Sequence, residues 1–148
     1  MENAAKALYI AAGVLIAIMV LSLGAVLYAS LQGYINSTNQ QIRFNEVNGF
    51  NAKFMDYLDR DLNIQDVITV ANIAYENNSS YNTDVNQWDA SANSLYVQVL
   101  LDGNRIDKNI NENMVSMLEE NKDKVFICQT VSYSSPTSRV CSVSFKTK

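Results

Sequence analysis

Histidine is absent from the chain, and with it the commonest general base and the commonest metal ligand. Nucleophile–base triads of the usual kind are therefore excluded. No glycine-rich phosphate loop and no dinucleotide fingerprint occurs. Basic residues are few and scattered, and the net charge is −4. That balance excludes nucleic acid as a partner, because phosphate binding needs clustered Lys and Arg. It equally excludes a polybasic lipid-binding surface. Proline occurs once and cysteine twice. The sequence calls for no cofactor and no enzyme activity. Asp59, Asp61 and Asn63 imitate the opening of a calcium loop, but the following Gly and the Glu at the twelfth position are missing. Asp56, Asp59, Asp61 and Asp66 read more simply as helix-end and solvated charges.

The most informative absence is local. No residue between Lys6 and Arg43 is charged, although 18% of the chain is. Ala7 to Leu31 is apolar or small almost throughout, with Ser22 and Ser30 its only hydroxyls besides two tyrosines. A bilayer core about 30 Å thick is crossed by about 20 helical residues, so this run predicts one transmembrane helix. A secretory signal would have a shorter apolar run, a more basic start and a small-x-small cleavage site. Lys6 and the terminal amine are the only positive charges flanking the run closely. The positive-inside rule then puts the N-terminus in the cytoplasm and the C-terminal domain outside.

At 100° per residue, Ala4, Ala7, Ala11, Ser22, Ala25 and Ala29 share one face of this helix. Small residues let helix backbones approach closely in lipid, so the stripe predicts self-association or packing on a partner membrane helix. Ordinary membrane-helix composition is the competing reading.

The predicted organisation is an N-terminal flank at 1–6, a transmembrane helix at 7–31, a polar stalk or helix extension at 32–43 and an extracytoplasmic domain at 44–148. Phe44 to Leu58 has helical spacing, weakened by Gly49. Asn63 with Asp66 imitates a capping box and starts a second helix at Ile64, which the Asn77–Ser80 cluster ends near Glu76. Ser79 to Asn93 reads as a polar loop with Trp88 its largest apolar anchor. Leu95 to Leu101 has strand composition, Asp102-Gly103 is a turn signal, and Arg105-Ile106 opens either a return strand or the next helix. That helix, capped by Asn109 or Asn111, runs to about Glu120. Val125 to Tyr133 and Arg139 to Phe145 read as a closing hairpin. The expected fold is α+β: a long transmembrane helix, short helices, and an antiparallel sheet of three or four strands.

With the hairpin centred on Ser134-Ser135, Cys128 sits opposite Cys141 at a separation that suits a disulfide. Two buried free thiols are the alternative; a metal pair fails for want of further ligands. A disulfide implies an oxidising, extracytoplasmic setting. Asn36, Asn77 and Asn78 each begin a glycosylation tripeptide. The loop around Tyr81 and Trp88 is a candidate contact region for a protein or glycan, with a passive loop as its rival.

Glu2 just ahead of the Ala7–Leu31 run, the small-residue stripe and the Cys128/Cys141 pair together resemble the plan of type IV pilin-like proteins. The resemblance implies a subunit that assembles through its N-terminal helix into a surface filament or membrane complex. Glu2 would then neutralise a neighbour's amino group inside a low-dielectric bundle; a solvated end residue is the simpler alternative. The chain departs from the pilin pattern in showing no leader ending in Gly, and its glutamate stands second rather than fifth. The opening Met-Glu-Asn-Ala-Ala-Lys-Ala-Leu also resembles that of small single-span proteins of Gram-positive bacteria, which implies no activity. An anchored binding module and an accessory subunit of a membrane complex are the other two functional readings.

Overall fold

The computed structural model describes residues 2–89 and 95–148. The last part of the expected polar loop, 90–93, lies outside the described residues. The chain divides into two units, residues up to Phe44 and Asn45–Lys148.

The first unit is helix throughout. Helix α1 runs Glu2–Met55, so the polar segment Gln32–Gln41 is a continuation of the helix and not an irregular stalk. Apart from the half-buried Thr38, every described side chain up to Phe44 is exposed. Glu2 accepts from Lys6 at 3.0 Å, an i,i+4 pair in the favourable order. Ser22 donates to the Ile18 carbonyl at 2.7 Å, which satisfies its hydroxyl within the helix.

The second unit begins with the last turns of α1. Phe54 is buried there and Phe50 packs beside it, ring centroids 5.3 Å apart. The chain leaves the helix by tight turns through Asp59, which takes φ 56°. Leu62 then exchanges two backbone hydrogen bonds with Phe126, at 2.9 and 2.8 Å. Asn63 and Asp66 close the expected capping box, so two orphan amides at the start of α2 (Ile64–Tyr81) are satisfied reciprocally. Helical spacing predicts a face of Ile64, Val67, Ile68, Ala71, Ala74 and Tyr75; all are buried except the half-buried Tyr75, and Val70 is buried with them.

Strand β1 (Gln98–Leu101) turns at Asp102 and Gly103 into β2 (Asn104–Arg105). Both turn residues have positive φ, 49° and 85°, as a two-residue primed hairpin turn requires. Helix α3 spans Ile110–Asn121, with Ile110 inward and Asn109 at the N-cap position without a side-chain bond. Strands β3 (Phe126–Tyr133) and β4 (Val140–Thr147) form the closing hairpin. The core joins Phe54, Leu62 and the α2 face to Val97, Val99, Phe126, Val143 and Phe145.

The sheet order is β2-β1-β4-β3. Both hairpins are antiparallel, but β1 pairs with β4 in parallel, Val99 against Val143. The sheet is therefore mixed, which corrects the expectation of a purely antiparallel one. Local turn signals decide how consecutive strands pair. They carry nothing about how two hairpins join, and here β2, α3 and β3 form the long connection a parallel pair needs.

Candidate functional site: the N-terminal helix face and the anchored loop

In the first unit, lipid-like side chains face outward on every side. Leu8, Ile10, Leu15, Met19, Leu23 and Val26 are all more than half exposed. The helix is long and apolar enough to cross a membrane, and none of its most apolar window is buried. Ala4, Ala7, Ala11, Ser22, Ala25 and Ala29 are all exposed on this helix. Glu2 and its partner Lys6 are both largely exposed on the same helix.

The expected contact loop is built differently from its sequence reading. Trp88 is 1% exposed. Its ring meets Tyr75 edge-on at 5.2 Å, and its Nε1 donates to the Asn82 carbonyl at 2.7 Å. It is a core anchor, which corrects its assignment as a binding residue. Tyr81 belongs to α2, which runs past the Asn77–Ser80 cluster instead of ending near Glu76. It stays 47% exposed, but its hydroxyl accepts from Arg139 Nη1 at 3.1 Å. Arg139 also donates to Asn77 Oδ1 at 3.0 Å and lies 3.9 Å above the Phe50 ring. Asn51 bonds to the Ser138 carbonyl and the Val140 amide, both at 2.9 Å. Tyr81 and Arg139 thus fasten the ends of α1 and α2 to the β3–β4 turn.

A buried amide explains why α2 continues. Asn78 is fully buried; its Nδ2 donates to the Val97 carbonyl at 2.7 Å and its Oδ1 accepts the Val97 amide at 2.8 Å. The side chain acts as a strand would towards the backbone ahead of β1. Asp107, also fully buried, accepts the Val99 amide at 2.9 Å and the Arg105 guanidinium at 2.9 Å. Arg105 Nη1 in turn donates to the Trp88 carbonyl at 2.8 Å. The network is satisfied at each of these groups, as a buried charge demands. Sequence reasoning missed Asn78, Arg105 and Asp107. Their only signal was an amide and an acid next to an apolar strand.

The cysteines do not meet. Cys128 lies opposite Phe145, and Cys141 is the extra residue of a bulge between the Ser132–Ser142 and Tyr133–Val140 pairs. Both thiols are free. Four residues of strand separate Phe145 from Cys141, ~13 Å, whereas disulfides join Cα atoms less than about 7 Å apart. The cause is the connection. The strands end at Tyr133 and Val140, and the turn is closed by Ser134 N–H to the Arg139 carbonyl at 2.8 Å, with Ser138 at φ 55°. The true centre is thus near Pro136-Thr137, and moving it two residues moves the facing partner by four. Burial pushes both thiols above the usual cysteine range; for Cys128 the Asp59 charge adds to this against a backbone bond from Thr130.

Asp61 pairs with Lys148 at 2.7 Å, and Asp66 serves the α2 cap and lies 3.8 Å from Arg60. Among the described residues, no three His, Cys, Asp or Glu side chains gather into a metal cage.

In comparisons with known proteins, no family model, no curated protein and no solved structure matches this chain.

Proposed function

We propose that the protein is a single-span membrane subunit whose N-terminal helix both anchors it and packs against other helices, in a surface filament of pilin-like plan or a membrane complex. The observation that carries this reading is the exposed apolar helix up to Leu31, whose most apolar window has no buried side chain. In water such a surface is strongly unfavourable at ~25 cal/mol per Å² of apolar area. Lipid removes that cost, and a helix satisfies its own backbone there. Lys6 on the N-terminal flank favours a cytoplasmic N-terminus with Asn45–Lys148 outside. The free thiols lend that orientation no support.

The alternative of a loop-based binding module is weakened by Trp88, whose burial removes the loop's largest contact residue.

Fractionation of cells making the full chain, with an alkaline carbonate wash, tests the anchor: the protein is expected to stay in the membrane pellet. Recovery in the wash supernatant overturns it. Mechanical shearing separates the two assemblies, since a filament subunit is released in high-mass fibres and a membrane-complex subunit is not.

A further inference from the structure

Lipid chemistry accounts for the helix only as far as Leu31. From Gln32 to Arg43 the helix continues through Gly33, Asn36, Ser37, Thr38 and Asn39, which are poor helix formers. An isolated helix of that composition is marginal in water and draws its stability from packing. Yet this stretch also exposes large apolar side chains, Tyr34, Ile35 and Ile42, the last two at 46% and 48%.

Their spacing is ordered. Starting at Tyr28, alternate intervals of three and four residues reach Leu31, Ile35, Thr38 and Ile42. That is the seam of a left-handed coiled coil, with Tyr28, Ile35 and Ile42 at one core position and Leu31 and Thr38 at the other. Tyr34 flanks the seam, while Asn36 and Gln40 point away from it at 100° per residue. Within the apolar run nearly every position is hydrophobic and the spacing discriminates nothing. In the amide-rich stretch it does.

We infer that residues 28–42 form a parallel, two-stranded coiled coil with a second copy of this chain. The inference rests on the anchored reading and names the partner. Three considerations favour a second copy. No charge falls between Lys6 and Arg43, so identical seams meet without like-charge repulsion. A shared membrane gives every copy the same direction, which makes a parallel, in-register match automatic. β-Branched Ile35 and Ile42 at one core position, with Leu31 beginning the other, favour two strands over three or four, and Thr38 in the second register adds no bulk against a two-stranded seam. The aqueous seam is short, but anchoring both copies in one bilayer raises their effective concentration.

The test uses full-length chains carrying two different tags, co-expressed, with Cys128→Ala and Cys141→Ala removing the native thiols. Single cysteines are placed on the seam (Ile35→Cys, Ile42→Cys) or off it (Asn36→Cys, Gln40→Cys), and membranes are treated with a mild oxidant. Disulfide-linked species containing both tags are expected several-fold more strongly at 35 and 42 than at 36 and 40. Equal or absent cross-linking in membrane-embedded protein overturns the seam and leaves the anchor standing. Cross-links to a different protein overturn the second copy as partner. Protein lost from the membrane fraction overturns the anchor itself. In chains that keep both native cysteines, Ile35→Asn with Ile42→Asn is expected to reduce co-capture of the two tags several-fold. Undiminished capture counts against the seam.

Discussion

Asn78 shows how one side chain decides a local fold. It meets both backbone groups of Val97 where a neighbouring strand would otherwise be needed. In Asn78→Ala both groups stay buried and unpaired, at a cost of roughly 2–4 kcal/mol. Urea unfolding of the full chain in detergent, followed by the fluorescence of the single tryptophan, Trp88, is expected to show that loss as a lower midpoint at unchanged slope. A loss below about 0.5 kcal/mol, the size of an ordinary surface change, counts against the network. The cysteines make a second prediction at this scale. Alkylation of the native protein without reductant is expected to add two adducts, the same number as after reduction. Because burial raises both thiol pKa values, the reaction is slow at neutral pH and quickens as pH rises through the thiol range. An adduct count that rises only after reduction restores the disulfide.

Among the elements, the β1–β2 turn is joined to the end of β4. Asp102 accepts the Thr147 amide at 2.9 Å and the Thr147 hydroxyl at 2.7 Å, and these bonds hold its carboxyl below the usual aspartate range, with lesser help from the Lys124 and Lys146 charges. The folded pKa is depressed, so this stabilisation is complete above the ordinary aspartate value of about 3.9 and is lost as pH falls through the folded value. The stability gap between the native chain and Asp102→Asn is expected to be constant near neutrality and to close on acidification below about pH 4. A gap that stays unchanged in acid shows that the contact is not carried by the charge.

Elements with local chemistry were legible in the sequence. Asn63 with Asp66, Asp102-Gly103 and the apolar face of α2 each announce themselves within a few residues. The β3–β4 register was not legible. Ser134, Ser135, Pro136, Thr137 and Ser138 are all turn formers, so composition offers several centres, and only the left-handed Ser138 and the bulge at Cys141 fix one. The same bulge brings Val140 inward together with Val143, against simple alternation.

For the whole molecule, the division between a lipid-like helix and a polar folded unit was the plainest feature of the sequence, because it rests on dozens of side chains. The continuity of α1 through Gln32–Gln41 was open, since an uncharged amide-rich stretch suits a stalk as well as a helix. The mixed sheet and the burial of Trp88 were hidden for a different reason. Both depend on segments far apart in the chain, Val99 against Val143 in one case and Trp88 against Arg105 and Tyr75 in the other. The candidate site was legible as an apolar surface. Its loop half was misread because a Trp among Asn, Ser and Asp looks like an exposed contact residue until its partners are known.

The sealed amide of Asn78 also governs where sugar can go. Asn78-Ser79-Ser80 is an acceptor tripeptide, but a glycosidic bond to that nitrogen would replace one of its two hydrogens, which serve the Val97 carbonyl and the Asp107 carboxylate, and force an oligosaccharide into solid protein. Any chain carrying a glycan there received it before folding and cannot complete this architecture. In a glycosylating host the tripeptide therefore becomes a race between a transferase and the closure of the polypeptide around its own asparagine.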